Sequence, residues 1–204
     1  DCALPAKTSK SPAGIGMTAH VARKPSLYEQ LCALPEGVRG EIMNGQLRTQ
    51  PRPSGAHALA TSRLGGDIEG PYSRGRGGPG GWWIIDEPEI HFVRDLEVEV
   101  PDIAGWRRER MPRLPEGHRF EVVPDWICEV LSPSTKSTDR EEKMPIYARF
   151  GVQHAWLVDP KTRTLEAYRL SEGAWFPLGV FRDDDEVCVA PFEATVIRLL
   201  DLWV

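Results

Sequence analysis

The chain has 204 residues, of which 41% are hydrophobic, and a formal net charge of −5 at pH 7. This length and composition suffice for one folded domain with a substantial core, while a net negative charge is not typical of a nucleic-acid-binding protein. A carboxylate-rich metal site would add to this negative charge until its metal is bound, so the balance does not exclude a metal enzyme.

The sequence has neither an apolar run of about eighteen residues nor the pattern of a secretion signal, so we expect no membrane span. Its four cysteines form no CxxC pair, and its five histidines show no HxxxH spacing. These spacings argue against a zinc site and favour a protein of the reducing cytoplasm.

Residues 1–24 are small, polar and punctuated by Pro and Gly, and we expect them to form a disordered leader before a single domain over residues 25–204. In "SLYEQLCAL", Ser26 and Glu29 have capping-box spacing, which predicts a short helix that ends before Pro35.

The segment "RGEIMNGQLRTQ" predicts a β-hairpin, because Asn44-Gly45 suits a type I′ turn. "SGAHALATSRLGGDIEG" has helical spacing with Ser54 as its N-cap, although Gly65-Gly66 weakens its middle. "RGRGGPGG" is predicted to be a loop, and it lacks the Lys-Ser/Thr that a phosphate-binding loop requires.

Strands then dominate, with one further helix predicted from Asp139 to Phe150, before Gly151. The predicted strands are "WWIIDEPEIHFV", "LEVEVPDIAGW", "RFEVVPDWICEVL", "HAWLVDP", "TLEAYRL", "WFPLGVF" and "EVCVAPF". The late helix suggests a crossover between parallel strands of one sheet. We therefore expect an α/β or α+β domain.

Two carboxylates stand out because side chains alternate between the two faces of a strand. In "LEVEVPDIA", Asp102 shares a face with apolar residues, while Glu97 and Glu99 share the other. In "EVVPDWICEVL", both faces are largely apolar, so Glu129 lies in a predicted central strand. Asp125, about 13 Å away along the strand, is too distant to join Glu129 at one ion, and we expect a hydrogen-bonded residue at the strand start.

A buried charge at Glu129 would cost several kcal/mol unless it is compensated. A structural salt bridge to an arginine is one explanation. The other is a divalent cation held between Asp102 and Glu129, since side chains on strands roughly 4.8 Å apart can share an ion. The spacing alone does not decide between the salt bridge and the divalent cation.

Several blocks of the chain resemble the Uma-two family of putative restriction endonucleases, over roughly residues 25–204. The matching blocks are "GEIMNGQL", "VPDIAGWRRERMPRL", "PDWICEVLSPST", "DREEKMPIYARFGVQHAWLVDP" and "RTLEAYRL". The family is assigned to the PD-(D/E)xK nuclease superfamily, whose fold is a mixed β-sheet flanked by helices. The resemblance implies Mg²⁺- or Mn²⁺-dependent cleavage of DNA, with Asp102, Glu129 and the backbone carbonyl of Val130 as metal ligands.

One position departs from the superfamily pattern. Its lysine normally stands two residues after the acidic residue, where this chain has Leu131. The resemblance suggests a lysine displaced to the following helix, which Lys143 fits, with Tyr147 one helical turn further on. Lys136 is the competing candidate, and a solvated Lys143 paired with Asp139 is the structural alternative. Pro145 predicts a kink or late restart that would re-aim Lys143.

Three further features have a predicted supporting role or a plain structural one. Glu41, in the first hairpin, could complete the metal's outer shell, and His57 could contact phosphate or carry a proton. The loop "RRERMPR", with Arg107, Arg108 and Arg110, could bind a phosphate backbone or pair with acidic residues.

Two functions of different classes follow. The first is a metal-dependent endonuclease acting on DNA as a homodimer, because double-strand cutting needs two sites. The second is a nuclease-fold protein that has lost catalysis and binds nucleic acid or a protein partner. Leu131 and Pro145 favour the second, whereas the inward-facing Asp102 and Glu129 favour the first.

Overall fold

The computed structural model describes residues 23–204, so almost all of the predicted leader lies outside the described residues. The strands are β1 (Arg39–Met43), β2 (Gln46–Gln50), β3 (Trp82–Asp86), β4 (Glu89–Val93), β5 (Glu97–Glu99), β6 (Ile103–Arg107), β7 (Arg119–Phe120), β8 (Trp126–Val130), β9 (His154–Asp159), β10 (Thr164–Ser171), β11 (Ala174–Arg182), β12 (Glu186–Val187) and β13 (Ile197–Arg198).

The α-helices are α1 (Leu27–Cys32), α2 (Gly55–Ile68), α3 (Lys136–Thr138) and α4 (Met144–Phe150). Two π-helical turns, Glu69–Ser73 and Asp139–Lys143, and a 3₁₀ turn, Leu199–Leu202, complete the helical segments. None of these helices combines the length and the apolar character that a membrane crossing would require.

Two mixed sheets flanked by helices form the fold, which is α+β as predicted. The larger sheet has the order β11-β10-β9-β8-β6-β3, and the smaller has the order β2-β1-β5-β4-β7. Within the larger sheet β8 and β9 are parallel, and the helical segment from α3 to α4 connects them. The predicted crossover is therefore confirmed.

Strand β8 is the central strand that its sequence predicted. Trp126, Cys128 and Val130 pack on one face of the larger sheet with α2, whereas Ile127 and Leu131 pack on the other face with α4. All five residues of β8 are buried. Because both faces are covered, the strand can be apolar throughout, and the Glu129 side chain enters a dry environment.

The local turn and cap predictions are confirmed. Ser26 and Glu29 form a capping box at α1. Asn44 and Gly45 have φ of 50° and 73°, the positive values that a type I′ turn requires at both positions. Gly151 ends α4 in the left-handed conformation.

Three segments predicted as single strands are each divided. The first breaks at Glu87, where φ is 49°, and gives β3 in the larger sheet and β4 in the smaller. The segment from Leu96 to Trp106 likewise gives β5 and β6, and the one from residue 119 to 131 gives β7 and β8. Alternation cannot be extended across these breaks, so the face of Asp102 does not follow from that of Val98. Within β5, Glu97, Val98 and Glu99 are all buried, so both faces of this strand are covered.

The helix before Gly151 begins at Lys136, earlier than predicted, and widens into a π-turn ahead of Pro145. The Met144 N–H donates to the Asp139 carbonyl, five residues back. Pro145 has no N–H, so it is tolerated near the start of α4, where no helical donor is needed. This turn sets the direction of Lys143.

Candidate active site

Asp102 and Glu129 come together across neighbouring strands. Strands β6 and β8 are antiparallel with Ile103 opposite Cys128, so the next pair in this register is Asp102 and Glu129. The Val130 N–H donates to Asp102 Oδ2 at 2.7 Å, which fixes this carboxylate against β8. Both side chains line the same pocket, together with Glu41, His57 and Asp139.

Lys143 lies between Glu129 and a third carboxylate, that of Glu41. Its Nζ is 2.9 Å from Glu129 Oε1 and 2.8 Å from Glu41 Oε1. The lysine side chain is 1% exposed, and its ammonium also donates to the Val100 carbonyl at 3.4 Å. The ammonium is therefore enclosed by acceptors from three different segments of the chain.

Tyr147 adds a second donor to the same carboxylate. Its hydroxyl donates to Glu129 Oε1 at 2.5 Å, in a fully buried hydrogen bond. Lys143 ends the π-turn and Tyr147 lies in α4, one turn further along, so the helical segment presents both groups to one oxygen of Glu129.

Glu41 reaches the site from the smaller sheet. Its Oε1 accepts from the Val100 N–H at 2.7 Å, and its Oε2 accepts from the Gln50 amide. The side chain is 1% exposed. The candidate site thus lies where the two sheets meet, with a carboxylate from β1 facing the carboxylates of the larger sheet.

The structure separates the two candidate lysines. Leu131, at the usual lysine position, is buried among Met144, Tyr147 and other apolar residues. Lys136 points elsewhere, since its Nζ forms an ion pair with Asp159 Oδ2 at 2.8 Å. Lys143 is the lysine that contacts Glu129.

Two buried acidic residues near the site, Glu99 and Asp139, were not predicted to be site residues from the sequence. Burial, together with the nearby carboxylate of Glu41, raises the pKa of Glu99 to about 10, and within residues 23–204 neither of its oxygens meets the criteria for a hydrogen bond. Burial raises the pKa of Asp139 to about 6, although Lys143 opposes this. The buried Glu99 could not be found from strand alternation because β5 is only three residues long.

The site contains more carboxyl groups than basic groups. Burial lowers the pKa of the Lys143 ammonium, but the carboxylates of Glu129 and Glu41 outweigh burial and raise it well above its ordinary value. Burial, with contributions from Asp139 and Asp102, raises the pKa of Glu129 well above its ordinary value. One ammonium thus faces several carboxyl groups, an excess that a bound cation would relieve.

Two side chains of the pocket could hold a metal ion. Within residues 23–204, no group of three or more His, Cys, Asp or Glu side chains is arranged to hold a metal ion. The pair Asp102 and Glu129 suits Mg²⁺, which keeps several waters and takes only one or two carboxylates from a protein.

His57 lies at the edge of the same pocket. It follows the N-cap Ser54 of α2, and its Nε2 is 3.2 Å from Asp102 Oδ2. Its Nδ1 is buried and has no hydrogen-bond partner among the described residues. The structure thus brings the imidazole to Asp102.

The basic loop after β6 lies away from this pocket. Arg110 pairs with the buried Asp125 at 2.7 Å, and Arg108 lies 3.9 Å from the centre of the Trp83 ring. The Arg107 guanidinium covers Trp82 at 4.7 Å. Arg107 is five positions after Asp102 along the strand, a distance of about 17 Å. These contacts give the loop a structural role. The hydrogen bonds of Asp125 agree with its predicted role as a hydrogen-bonded residue at the strand start.

A mixed sheet flanked by helices, with facing carboxylates and a buried lysine at the sheet junction, defines a nuclease-like protein. The chain belongs to the Uma2 family, described as putative restriction endonuclease, whose model matches residues 25–199. It is also similar to the crystal structure of a putative nuclease belonging to DUF820 from Anabaena variabilis, with a TM-score of 0.69 and 26% identity. That similarity covers 88% of this chain and 97% of the other. No curated protein matches the chain.

Proposed function

We propose that the protein is a divalent-metal-dependent endonuclease that hydrolyses DNA phosphodiester bonds. The observation that carries this proposal is the convergence at Glu129: Asp102 lies opposite it in register, and Lys143 and Tyr147 both contact its Oε1. A structural ion pair alone would not require three further acidic side chains, Glu41, Asp102 and Asp139, to line the same pocket.

Asp102, Glu129 and the backbone carbonyl of Val130 would hold Mg²⁺ or Mn²⁺. When bound, such an ion polarises a phosphoryl oxygen, lowers the pKa of a water and steadies the charge of the leaving oxygen. The substrate phosphate would complete its ligands.

Lys143 acts as a fixed positive charge in this proposal. An ammonium whose pKa is raised stays protonated, so Lys143 orients Glu129 and adds positive potential, but it does not remove a proton from water. Tyr147 restrains the same carboxylate, and Glu41 holds Lys143 from the opposite side. His57, beside Asp102 in the pocket, is placed to exchange a proton with a reacting group.

The first test is calorimetric titration of Mg²⁺ and Mn²⁺ into the wild type, Glu129→Gln and Glu116→Gln. Glu116 is exposed and forms no ion pair among the described residues, so it is a matched control for the loss of one carboxylate. We expect binding to the wild type and the control, and none to Glu129→Gln. Failure of the wild type to bind either ion would contradict the proposal.

A plasmid-nicking assay on the same proteins then tests hydrolysis. Nicking should require the metal and should disappear in Glu129→Gln but not in Glu116→Gln. Lys143→Met should lose nicking while retaining metal binding, because the lysine is not a ligand. Metal binding by the wild type without any nicking would instead favour the nuclease-fold protein that has lost catalysis.

We further propose that the protein acts as a homodimer, because cutting both strands of a duplex needs two sites. Sedimentation velocity should then give a species with twice the mass of one chain. A monomer that nicks single strands would leave the chemistry intact and remove this part of the proposal.

A further inference from the structure

Two arginines line the carboxylate pocket, and neither belongs to the basic loop after β6. Arg39 is the first residue of β1, and Arg52 follows the end of β2 by two residues. Both border the pocket that contains Glu41, Asp102 and Glu129. They bring positive charge to the rim of an otherwise acidic site.

The first hairpin fixes the position of Arg39. Arg39 pairs with Gln50 in the register of β1 and β2, at the end of the hairpin opposite its turn. Arg39 and Glu41 are two strand residues apart, so they share one face at a separation of about 7 Å. The Arg39 side chain is 39% exposed and forms an ion pair with Glu87, whose side chain is 41% exposed.

Arg52 is held at the same end of the hairpin by its neighbours. Pro51 and Pro53 flank it, and each proline restricts the backbone around Arg52. Its guanidinium lies beside Gly37, where a Cβ on that glycine would come within 3.0 Å of Arg52 Nη2. Arg52 is exposed. Among residues 23–204, Arg39 forms an ion pair but Arg52 does not.

Cations along its path lower the electrostatic cost of bringing a polyanion to the carboxylates of this pocket. A guanidinium binds a phosphate by two parallel hydrogen bonds, and its charge persists at any working pH. Arg108 and Arg110 are already engaged by the protein, whereas Arg52 has no described carboxylate partner and Arg39 has an exchangeable one at the surface.

We propose that Arg39 and Arg52 form a phosphate clamp that binds the nucleic-acid backbone beside the scissile bond. This inference rests on the proposed nuclease function and names the residues that position its substrate. On binding, a backbone phosphate replaces Glu87 as the partner of Arg39. Arg52 binds a neighbouring phosphate at the rim, so the bond to be cut lies over Asp102 and Glu129.

The test is fluorescence anisotropy of a labelled DNA duplex, with Ca²⁺ in place of Mg²⁺ and over a range of salt concentrations. We expect Arg39→Ala and Arg52→Ala each to weaken binding about tenfold at low salt. Each should also reduce the slope of log affinity against log salt by about one, the value for one lost phosphate contact. Arg52→Lys should recover part of the affinity, and Glu87→Gln should tighten binding by freeing Arg39.

The matched control is Arg169→Ala. Arg169 is exposed, lies over Phe176 and pairs in register with His154, at the end of the sheet away from Glu129. It should bind DNA like the wild type. In nicking kinetics, the clamp variants should raise KM about tenfold with kcat within about twofold, and their metal affinity by calorimetry should equal that of the wild type.

Two outcomes would contradict the clamp, and only the first of them is compatible with the proposed nuclease function. If Arg39→Ala and Arg52→Ala bind DNA as Arg169→Ala does, the clamp is wrong while the nuclease proposal survives. If the wild type binds no DNA at low salt although it binds metal, both proposals fail. Thermal unfolding of each variant checks that the lost affinity is not lost folding.

Discussion

Replacing Lys143 by methionine removes the ammonium that lies between two buried carboxylates while keeping a side chain of similar length. In the wild type, Nζ contacts Glu129 Oε1 at 2.9 Å and Glu41 Oε1 at 2.8 Å. Methionine can fill the space but can donate no hydrogen bond. The variant therefore leaves Glu41 and Glu129 without their shared cation.

The size of the effect follows from burial. All three side chains are at most 3% exposed, so water cannot replace the lost ammonium. Removing one partner of a buried ion pair costs about 3–5 kcal/mol, because the remaining charge is uncompensated. For a chain of this size, about 1 kcal/mol corresponds to roughly 2–4 °C in Tm. We expect Lys143→Met to lower Tm by about 6–20 °C.

Urea unfolding at pH 8 measures this difference, with Lys136→Met as the control. Lys136 is 44% exposed, and its partner Asp159, which is buried, keeps hydrogen bonds from the Lys161 and Thr162 N–H groups. We therefore expect Lys136→Met to cost only about 1 kcal/mol. Adding Mg²⁺ should recover more stability in Lys143→Met than in the wild type, because the ion would compensate the same carboxylates. A loss below about 1 kcal/mol for Lys143→Met, similar to the control, would refute the reasoning.

Three further substitutions test the surroundings of the site. Glu99→Gln should be more stable than the wild type above pH 6, since Glu99 has a pKa of about 10 when folded and an ordinary value of 4.5 when unfolded. The wild type binds that proton only when folded, so its stability falls by up to about 1.4 kcal/mol per pH unit between these values. Tyr147→Phe removes the hydroxyl that donates to Glu129 and should cost about 1–3 kcal/mol in urea unfolding. Gly45→Ala forces alanine to a φ of 73° and should lower the free energy of unfolding by about 1 kcal/mol.

A different result would contradict each of these three predictions. A difference between Glu99→Gln and the wild type that stays constant from pH 5 to pH 8 would mean that Glu99 does not keep its proton. Glu116→Gln, at an exposed position, should show no pH-dependent difference. Tyr147→Phe with unchanged stability would show that the hydroxyl is not needed by Glu129, and Gly45→Ala with unchanged stability would exclude the strained turn.

Part of the candidate site could be predicted from the sequence because it depends on short, regular segments. The apolar alternation around Glu129 identified a central strand, and all of β8 is buried as that pattern requires. The spacing of Lys143 and Tyr147 identified two residues on one side of a helical segment, and both contact Glu129. In each case, the named residues are only one or two backbone periods apart.

The sequence alone determined the turns, the caps and the central strand, because these depend on residues close together in the chain. It also carried the resemblance to a nuclease family, in blocks spread over residues 25–204. Only the tertiary structure decided that Glu41 and Arg39 reach the site from the smaller sheet and that Lys136 does not reach it. It also decided that Glu99 is buried. Strand alternation is a local rule, and the chain leaves one sheet for the other between Glu99 and Ile103. Which side chains meet across that junction depends on how the two sheets pack, and no periodicity along the chain records it.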